Sequence, residues 1–417
     1  MSERRLETLK GFYQNYVKPF YEMAHKANEE GKPVAWVAST FPVEILLAMD
    51  VIPIWPENYA SLCAARRFSV PLCELAERKG FSKDLCSYAR CVLGSLFGGE
   101  NLPEGGIPKP DILVASTCAC DTHLKWFQAA SRIFKKPLFL LDVPYNVEGA
   151  NSKQLEERYI QHYASQVEDL INLLEKHFRI KLDEDKLKKT LELSNRTSEL
   201  WLKIQDYRKN VPAPMGAREA FSAVYFMLCI PGTEQAVGFY ERLCCELEQR
   251  VKRGVGVIEN EKYRLVWDNL PLWFDLQFFQ YLETLGAVVV AETFSHVWAG
   301  SLDLSKPYES LAGKHLSNMA NCSIERRIEL IEGLVKDFRA NGVILPTNWG
   351  CRMMTIGETI VKQKIREMTG VSSLILDVDS TDWRNYDEYQ VKTKLETYLK
   401  TLEYNSPKCS SGAASLL

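Results

Sequence analysis

Short apolar runs alternate with amphipathic helical patterns along both halves of the chain. After residues 7–28, whose apolar side chains recur every three or four positions, each half contains four apolar runs of strand length. Such alternation is typical of parallel sheets joined by crossover helices. The predicted strands are Pro33–Ala38, Val51–Trp55, Asp111–Ala115, Pro137–Leu141, Tyr263–Trp267, Ala287–Ala291, Gly342–Leu345 and Ser373–Leu376.

Helical patterns lie between these strands. Pro42 suits the first turn of the first of them, because proline is tolerated there. The last helix runs to about Leu402, and the segment from Ser406 lacks structural signals, as fraying ends do. In the first half the predicted helices span Pro42–Met49, Tyr59–Lys79, Lys83–Leu96 and Asp121–Phe134.

A segment without strand patterns separates the two halves. Residues 152–209 predict long, charged amphipathic helices, and Val211–Gly216 is the best linker candidate. We therefore predict an α/β fold of two similar lobes with parallel sheets, a helical N-terminus and a helical insert between the lobes. The predicted boundaries are 1–150 for the N-terminal lobe, 151–215 for the insert and linker, 216–403 for the C-terminal lobe and 404–417 for a tail.

Composition narrows the class of protein. The 417 residues include 51 Lys+Arg and 54 Asp+Glu, which argues against a basic nucleic-acid-binding arm. No run approaches the roughly 20 apolar residues of a membrane helix, and the charged start is not followed by a signal-peptide core. We expect a cytoplasmic protein without membrane or nucleic-acid partners. Its twelve cysteines then suit metal binding, redox chemistry or packing better than disulfides.

Several common catalytic and phosphate-binding motifs are missing from the sequence. It contains no Walker A motif, no GxGxxG after a strand, no GxSxG elbow and no HExxH. We expect no nucleotide to be bound by this chain, so any ATP that the reaction needs is hydrolysed by another protein.

Four cysteines stand where ligands usually bind in α/β proteins. Cys118 and Cys120 follow one predicted strand, Cys351 follows another, and Cys86 lies early in a helix. Strand ends form ligand clefts, and helix N-termini favour thiolates. Three sulfurs from distant segments can therefore converge between the lobes, and three thiolates on a four-iron cluster leave one iron open.

Packing is the competing interpretation for the other cysteines, because cysteine is among the most buried residue types. Cys63, Cys73 and Cys229 have apolar helical surroundings. The adjacent Cys244 and Cys245 point to different faces of a helix, so they suit no shared metal.

A series of short motifs extends from about Gly31 to Leu402. In chain order they are Phe41-Pro42-Val43-Glu44, Pro56-Glu57-Asn58, Leu72–Glu77, Lys79–Ser82, Asp84–Arg90, Cys120-Asp121, Lys125-Trp126-Phe127, Asp142–Asn146, Asn348–Cys351, Asp379 and Thr381–Arg384. In this combination the chain resembles the 2-hydroxyacyl-CoA dehydratase family, which includes benzoyl-CoA reductase subunits and double-cubane cluster proteins.

The resemblance implies a cofactor and partners. It implies two Rossmann-like lobes with a [4Fe–4S] cluster between them, and the family's three recurring cysteines fall on Cys86, Cys120 and Cys351. Cys120 matches better than Cys118 because the family cysteine stands six residues before the tryptophan, here Trp126. The implied partners are an acyl-CoA substrate, a homologous second large subunit and an ATP-hydrolysing activator that carries its own [4Fe–4S] cluster.

The implied chemistry starts from a single electron. A β-hydrogen of a 2-hydroxyacyl-CoA is hardly acidic, but one electron on the thioester carbonyl expels the hydroxyl and acidifies that position. An aromatic acyl-CoA is instead reduced in its ring by single-electron steps. Both reactions need a strong reductant and a dry, polarising pocket.

Three polar residues are candidate catalytic groups. Ser39 and Glu57 follow predicted strands, in loops where the resemblance implies active-site groups; Ser39 is a candidate donor to the thioester oxygen and Glu57 a candidate proton carrier. His123, three residues after Cys120, is a candidate acid. The alternatives are an N-cap for Ser39, a first-turn carboxylate for Glu57 and a locally satisfied histidine.

Further residues and functions stay open. Trp267 and Trp273 are expected to line the same pocket, and Arg352 to pair with a CoA phosphate or cap a helix. An electron-relay or double-cubane protein reducing small molecules would instead use a fourth thiolate, Cys118 or Cys91. A cluster-free scaffold is a third possibility. The sequence does not separate dehydration from ring reduction, or identify the acyl group.

Overall fold

The computed structural model describes residues 4–99, 101–145 and 153–405. Within them all eight predicted strands are present and form two four-stranded parallel sheets, which confirms the predicted α/β fold. The predicted tail from Ser406 and the motif residue Asn146 lie outside the described residues. The strands are β1 Val34–Val37, β2 Ile52–Ile54, β3 Ile112–Ser116, β4 Leu138–Leu141, β5 Tyr263–Trp267, β6 Ala287–Glu292, β7 Gly342–Asn348 and β8 Ser373–Val378.

The two sheets have the same topology. Their strand orders are β2-β1-β3-β4 and β6-β5-β7-β8, and every neighbouring pair is parallel. In the second sheet Leu265 and Trp267 of β5 pack into one apolar cluster, whereas Val266 between them packs into the cluster on the opposite face. This alternation follows from the two-residue repeat of a strand, and helices cover both faces.

The helices follow the predicted alternation, with three corrections. The predicted helix Tyr59–Lys79 is two helices, because Arg67 has a left-handed φ of 57°. The predicted helix Lys83–Leu96 begins only at Ser87, and Pro42 caps its helix from outside. The α-helices are α1 Lys18–Glu29, α2 Val43–Ala48, α3 Pro56–Ala65, α4 Ser69–Arg78, α5 Ser87–Ser95, α6 Asp121–Phe134, α7 Lys153–Phe178, α8 Glu184–Arg208, α9 Ala217–Ala223, α10 Tyr225–Cys229, α11 Glu234–Arg253, α12 Phe278–Thr284, α13 Thr293–His296, α14 Pro307–Leu316, α15 Ile324–Asp337, α16 Arg352–Thr355, α17 Glu358–Thr369 and α18 Glu388–Asn405.

The two long helices α7 and α8 connect the two sheets and pack against both halves of the chain. Helix α8 contacts α2 and α11, and α7 contacts α14 of the second half. The indole of Trp201 in α8 donates to the Ser295 carbonyl at 2.8 Å, and Arg208 at the end of α8 pairs with the buried Glu292. None of the described helices is both long and apolar enough to cross a membrane.

Several hydrogen bonds join the lobes directly beside the Cys86 segment. Ser87 donates to Asp379 at 2.6 Å, and Arg90 donates to Asp382 at 2.8 Å. Arg90 is 1 % exposed, and its pairing with Asp382 replaces the water that both charges lose on burial. The motifs around Asp84–Arg90 and Thr381–Arg384 therefore hold the lobes at a fixed separation, a role the sequence did not assign them.

Candidate functional site

A cavity of about 320 Å³ lies between the lobes. Its lining includes all six residues selected from the sequence as candidate ligands or catalytic groups. They come from segments up to three hundred residues apart, so only the packing of the lobes brings them together. The six are Ser39, Glu57, Cys86, Cys120, His123 and Cys351.

Each of the three candidate cluster ligands is the N-cap residue of a helix. Cys86 precedes α5, Cys120 precedes α6, and Cys351 precedes the short helix α16. A helix N-terminus presents free backbone N–H groups and a partial positive charge, which stabilise a thiolate. The predicted position of Cys86 early in a helix is thus corrected to the cap itself.

Gly350 lets two of these cysteine segments approach closely. It has a left-handed φ of 73°, and a Cβ placed on it would lie 3.0 Å from the Cys86 nitrogen and 3.1 Å from the Asp84 oxygen. A side chain here would force the loops apart. Arg352, which follows Cys351, pairs with Asp121, which follows Cys120. Its predicted contact with a CoA phosphate stays a prediction.

The thiols perturb one another's ionisation. Burial, followed by the charges of Cys351 and Cys120, raises the pKa of Cys86 well above its usual value. Burial also raises the pKa of Cys351 to about 11, with a smaller contribution from Cys120. Cys86 and Cys351 therefore resist deprotonation on their own, and a cationic cofactor bound there would neutralise the charge of their thiolates.

A four-iron cluster and a single metal ion need different arrangements of ligands. A four-iron cluster binds each thiolate at a different iron, so its ligands surround a common volume. Cys86, Cys120 and Cys351 line one cavity from three separate segments, which is an arrangement of that kind. Among the described residues, no group of three or more His, Cys, Asp or Glu side chains is arranged to hold a single metal ion.

Ser39, Glu57 and His123 form a connected polar group on the same cavity. One carboxylate oxygen of Glu57 accepts from the Ser39 backbone N–H at 3.0 Å and lies 3.1 Å from Nε2 of His123. The other carboxylate oxygen of Glu57 and Nδ1 of His123 are buried without a hydrogen-bond partner. Burial alone would lower the pKa of His123, but the charges of Cys120 and Glu57 raise it to about 9. This raised pKa favours the protonated form of His123 beside Glu57.

The sequence also allowed purely structural roles for Ser39, Glu57 and His123, and the structure agrees with some of these roles but not with others. Ser39 is not an N-cap, because α2 begins at Val43 and Pro42 occupies the cap position. Glu57 does lie in the first turn of α3, and it also lines the cavity. His123 is bonded to Glu57, yet one of its ring nitrogens has no partner.

The remaining cysteines divide differently from the prediction. Cys91 and Cys118, the suggested fourth ligands, are buried and are not among the described residues that line the cavity. Cys63 and Cys73 are buried helical residues, as predicted. Cys229, interpreted from the sequence as a packing residue, is buried and also lines the cavity.

The cavity walls contain aromatic residues that the sequence did not single out. Trp273 lines the cavity as expected, whereas Trp267 does not; it is fully buried and donates to the Leu270 carbonyl at 3.1 Å. Which aromatic residues line the cavity depends on which rings face the space between the lobes. The spacing of residues along the sequence does not predict this. The additional aromatic lining residues are Phe12, Tyr13, Trp55, Tyr88, Trp126, Phe221, Tyr225, Phe294 and Trp298.

A wider groove of about 890 Å³ adjoins this cavity. The two share Ala119, Cys120 and Ala320, so the groove reaches the cavity beside one candidate ligand. Its rim includes the exposed Tyr145 and the exposed Ile356. A long ligand lying in the groove can therefore extend its end toward the cavity.

Comparison with known proteins gives the same family as the motifs. Residues 38–402 match the family model described as 2-hydroxyglutaryl-CoA dehydratase, D-component. The chain is 28% identical over 406 residues to the (R)-phenyllactyl-CoA dehydratase alpha subunit of Clostridium sporogenes, covering 95% of this chain and 97% of that protein. It is 28% identical over 390 residues to a benzoyl-CoA reductase subunit of Thauera aromatica, covering 89% of each. It is 27% identical over 390 residues to the (R)-2-hydroxyisocaproyl-CoA dehydratase alpha subunit of Clostridioides difficile, covering 92% and 93%.

Proposed function

The chain belongs to the family of the 2-hydroxyglutaryl-CoA dehydratase D-component, and we propose that it is the [4Fe–4S]-binding subunit of a radical enzyme that transforms acyl-CoA esters. The observation that carries this proposal is the cavity lined by three N-cap cysteines and by the Glu57–His123 pair. Relatives named as dehydratase and reductase subunits support an enzymatic role, as a lyase or an oxidoreductase. A cytoplasmic location remains a prediction.

Cys86, Cys120 and Cys351 would hold the cluster, which supplies one-electron chemistry at low potential when it is bound. Three protein thiolates leave one iron without a protein sulfur. Cys86 and Cys120 cap helices of nine and fourteen residues, so rigid elements orient these two ligands. The low-potential electron would come from a separate ATP-hydrolysing activator with its own cluster.

Glu57 is the proposed proton carrier. One of its oxygens is fixed by Ser39 N–H and His123, and its other oxygen has no partner and can take a proton from the substrate. His123 pairs with Glu57 through Nε2 and is the group that can return a proton to a leaving hydroxyl. We assign the Ser39 hydroxyl as a donor to the thioester carbonyl oxygen.

The adjoining groove would hold the CoA portion of the substrate. It is larger than the cavity and meets it at Cys120, so a thioester at the junction would place its acyl group inside and its pantetheine arm outside. A homologous second large subunit completes the proposed assembly, because four relatives are named as alpha subunits of dehydratases.

Electron relay is the second candidate function, and Cys229 is the observation that favours it. Cys229 lines the same cavity as the three proposed ligands, so it is the natural fourth sulfur for a relay cluster. It replaces Cys91 and Cys118 in that role. The roomy aromatic cavity argues against a relay, because a relay has no substrate to enclose.

Iron and acid-labile sulfide in anaerobically purified protein test the cluster. Single serine variants of Cys86, Cys120 and Cys351 should lose most of the about four irons expected per chain. The matched control is Cys73→Ser, since Cys73 is a buried helical thiol away from the cavity. Equal iron in all four variants would contradict the ligand assignment.

Cys229→Ser then separates the two functions. Catalysis on an open iron predicts that this variant keeps its iron and that an acyl-CoA perturbs the electron paramagnetic resonance spectrum of the cluster. A relay predicts loss of iron in Cys229→Ser and no spectral response to any CoA ester. Turnover of a set of CoA esters with the activator present identifies the reaction.

A further inference from the structure

The walls of the inter-lobe cavity are aromatic on both sides. Trp55 and Trp126 contribute from the first lobe, and Phe221, Phe294 and Trp298 contribute from the second half of the chain. Apolar and aromatic walls favour ligands that lose little hydration on entry and that stack against rings. This composition points to the acyl group as the part of the ligand to be enclosed.

Positive charge is missing from the wall. Among the described residues, no lysine or arginine lines the cavity. The histidine of the wall, His123, is already paired with Glu57. A second carboxylate carried by the acyl group would enter without a lysine or arginine to pair with and would lie on the same wall as the carboxyl group of Glu57. A buried carboxylate without a partner is strongly disfavoured.

The cavity has room for a ring. An apolar cavity of about 150 Å³ is enough to hold benzene. The inter-lobe cavity is about 320 Å³ and would be shared by the cluster on its cysteines and the ring of the acyl group, with the thioester at the junction with the wider groove. A two- or three-carbon acyl group would leave much of this aromatic wall uncovered.

We propose that the acyl group accepted by this chain is uncharged and carries an aromatic ring, and that acyl groups ending in a carboxylate are rejected. This inference rests on the proposed acyl-CoA function and specifies its substrate class. The discriminating feature is a wall of aromatic rings in which the described residues include no lysine or arginine, beside a Glu57 and a His123 that already pair with each other.

Calorimetric binding of CoA thioesters to the anaerobically purified protein tests the proposal. The probes are 3-phenylpropanoyl-CoA, glutaryl-CoA and acetyl-CoA, which lack a 2-hydroxyl group and so bind without being dehydrated. We expect 3-phenylpropanoyl-CoA to bind at least about tenfold more tightly than either of the others. Equal or tighter binding of glutaryl-CoA overturns the proposed acyl class and leaves the acyl-CoA function standing. Absence of binding by all three overturns the acyl-CoA function itself.

A variant that adds a cation should change the selectivity. Leu228 lines the cavity and is only half-buried, so Leu228→Arg places a charge at the wall with little loss of packing. We expect glutaryl-CoA to gain about tenfold in affinity relative to the neutral control Leu228→Met. If Leu228→Arg fails to fold, Leu276→Lys tests the same wall from the second lobe. A folded cationic variant without a gain for glutaryl-CoA overturns the charge argument.

A second variant tests the ring contact separately. Phe294→Leu keeps an apolar wall but removes one ring from the cavity. We expect weaker binding of 3-phenylpropanoyl-CoA with unchanged binding of acetyl-CoA. Equal losses for both ligands would mean that Phe294 supports the fold and does not select the acyl group.

Discussion

The loops that follow the strands of the first lobe supply most of the chemistry of the cavity. Ser39 follows β1, Glu57 follows β2 and Cys120 follows β3, and all three line the cavity. Glu57 keeps one oxygen without a partner, and Cys120 is the cap of a fourteen-residue helix. Polar groups at these strand ends are therefore left available for a ligand.

The second lobe has the same strand order, but the polar side chains at its equivalent strand ends are hydrogen-bonded or ion-paired to other residues of the protein. Asp268 after β5 accepts from Arg327 at 3.0 Å and from Thr293 at 2.7 Å. Glu292 at the end of β6 is fully buried and pairs with Arg208. Neither Asp268 nor Glu292 lines the cavity, whereas Cys351, which follows β7, does.

This difference shows how one topology can serve two purposes. Parallel strands collect polar side chains at their carboxyl ends in both lobes. In the second lobe buried arginines neutralise these side chains, and the lobe becomes a firm aromatic wall. In the first lobe the charges are only partly satisfied, which is the condition for acting on a ligand.

Glu292→Gln should produce the largest loss of stability and shows whether the second lobe depends on its strand-end charge. The change leaves the guanidinium of Arg208 buried without a full charge partner. We expect a loss of about 3–5 kcal/mol in the free energy of unfolding, measured by denaturant titration. Glu367→Gln, which breaks the exposed pair with Lys364, is the control and should change the free energy of unfolding very little, because solvent screens that pair. Similar losses for the two would contradict the structural role.

Glu57→Gln makes the opposite test in the first lobe. We expect turnover to fall by about 100-fold or more, because the proton-accepting oxygen becomes an amide. Iron content and the free energy of unfolding should change little, since the amide oxygen still accepts from Ser39 and only a partly buried carboxylate is lost. A large loss of stability with normal turnover per folded protein would reverse the contrast between the lobes.

Gly350→Ala tests the contact between the two halves at the cysteines. The new Cβ would press on the backbone of Cys86, so we expect at least about half of the iron to be lost while the fold is kept. Gly370→Ala is the matched control: its φ of 74° is nearly the same, and a Cβ there meets nothing within 4 Å. Equal iron in both proteins would mean that backbone strain and not steric contact matters.

His315→Phe tests whether a buried histidine makes the stability of the protein depend on pH. Burial, aided by Lys314 and opposed by Glu44, lowers the pKa of His315 to about 4, and its ring stacks on Tyr163. The unfolded chain protonates this histidine near pH 6.5 and the folded chain does not, so stability falls as the pH drops below 6.5.

Between pH 7 and pH 5 that loss should be roughly 2 kcal/mol, because Glu44, whose pKa is lowered to about 2, and Lys314 keep their charges. Differential scanning calorimetry should find a smaller loss in His315→Phe than in the unchanged protein. His177→Gln, at an exposed histidine, should leave the pH dependence as it was. If His315→Phe shows the same pH dependence as the unchanged protein, protonation of His315 is not the cause of the loss of stability.

Patterns local in the sequence determined the elements of the fold. Strand periodicity located β1 to β8, since each strand is a short apolar run that has to be buried whatever its neighbours are. Strand ends and helix starts also located Cys86, Cys120 and Cys351, because their positions depend only on the elements beside them. Their common cavity was predicted because ligand clefts form beyond the carboxyl ends of strands, here between the two lobes.

Only the tertiary structure decided which polar side chains are paired within the protein and which can still contact a ligand. Three findings had no local pattern in the sequence. They are the left-handed backbone of Arg67 that divides one predicted helix, the hydrogen bond between Ser87 and Asp379, and the position of Cys229 on the cavity wall. Asp268 and Glu57 look alike as carboxylates after a strand. They differ because Arg327, fifty-nine residues away, is packed against Asp268, whereas one oxygen of Glu57 has no partner among the described residues. Burial and charge pairing are properties of the packed chain, so spacing along the sequence does not contain them.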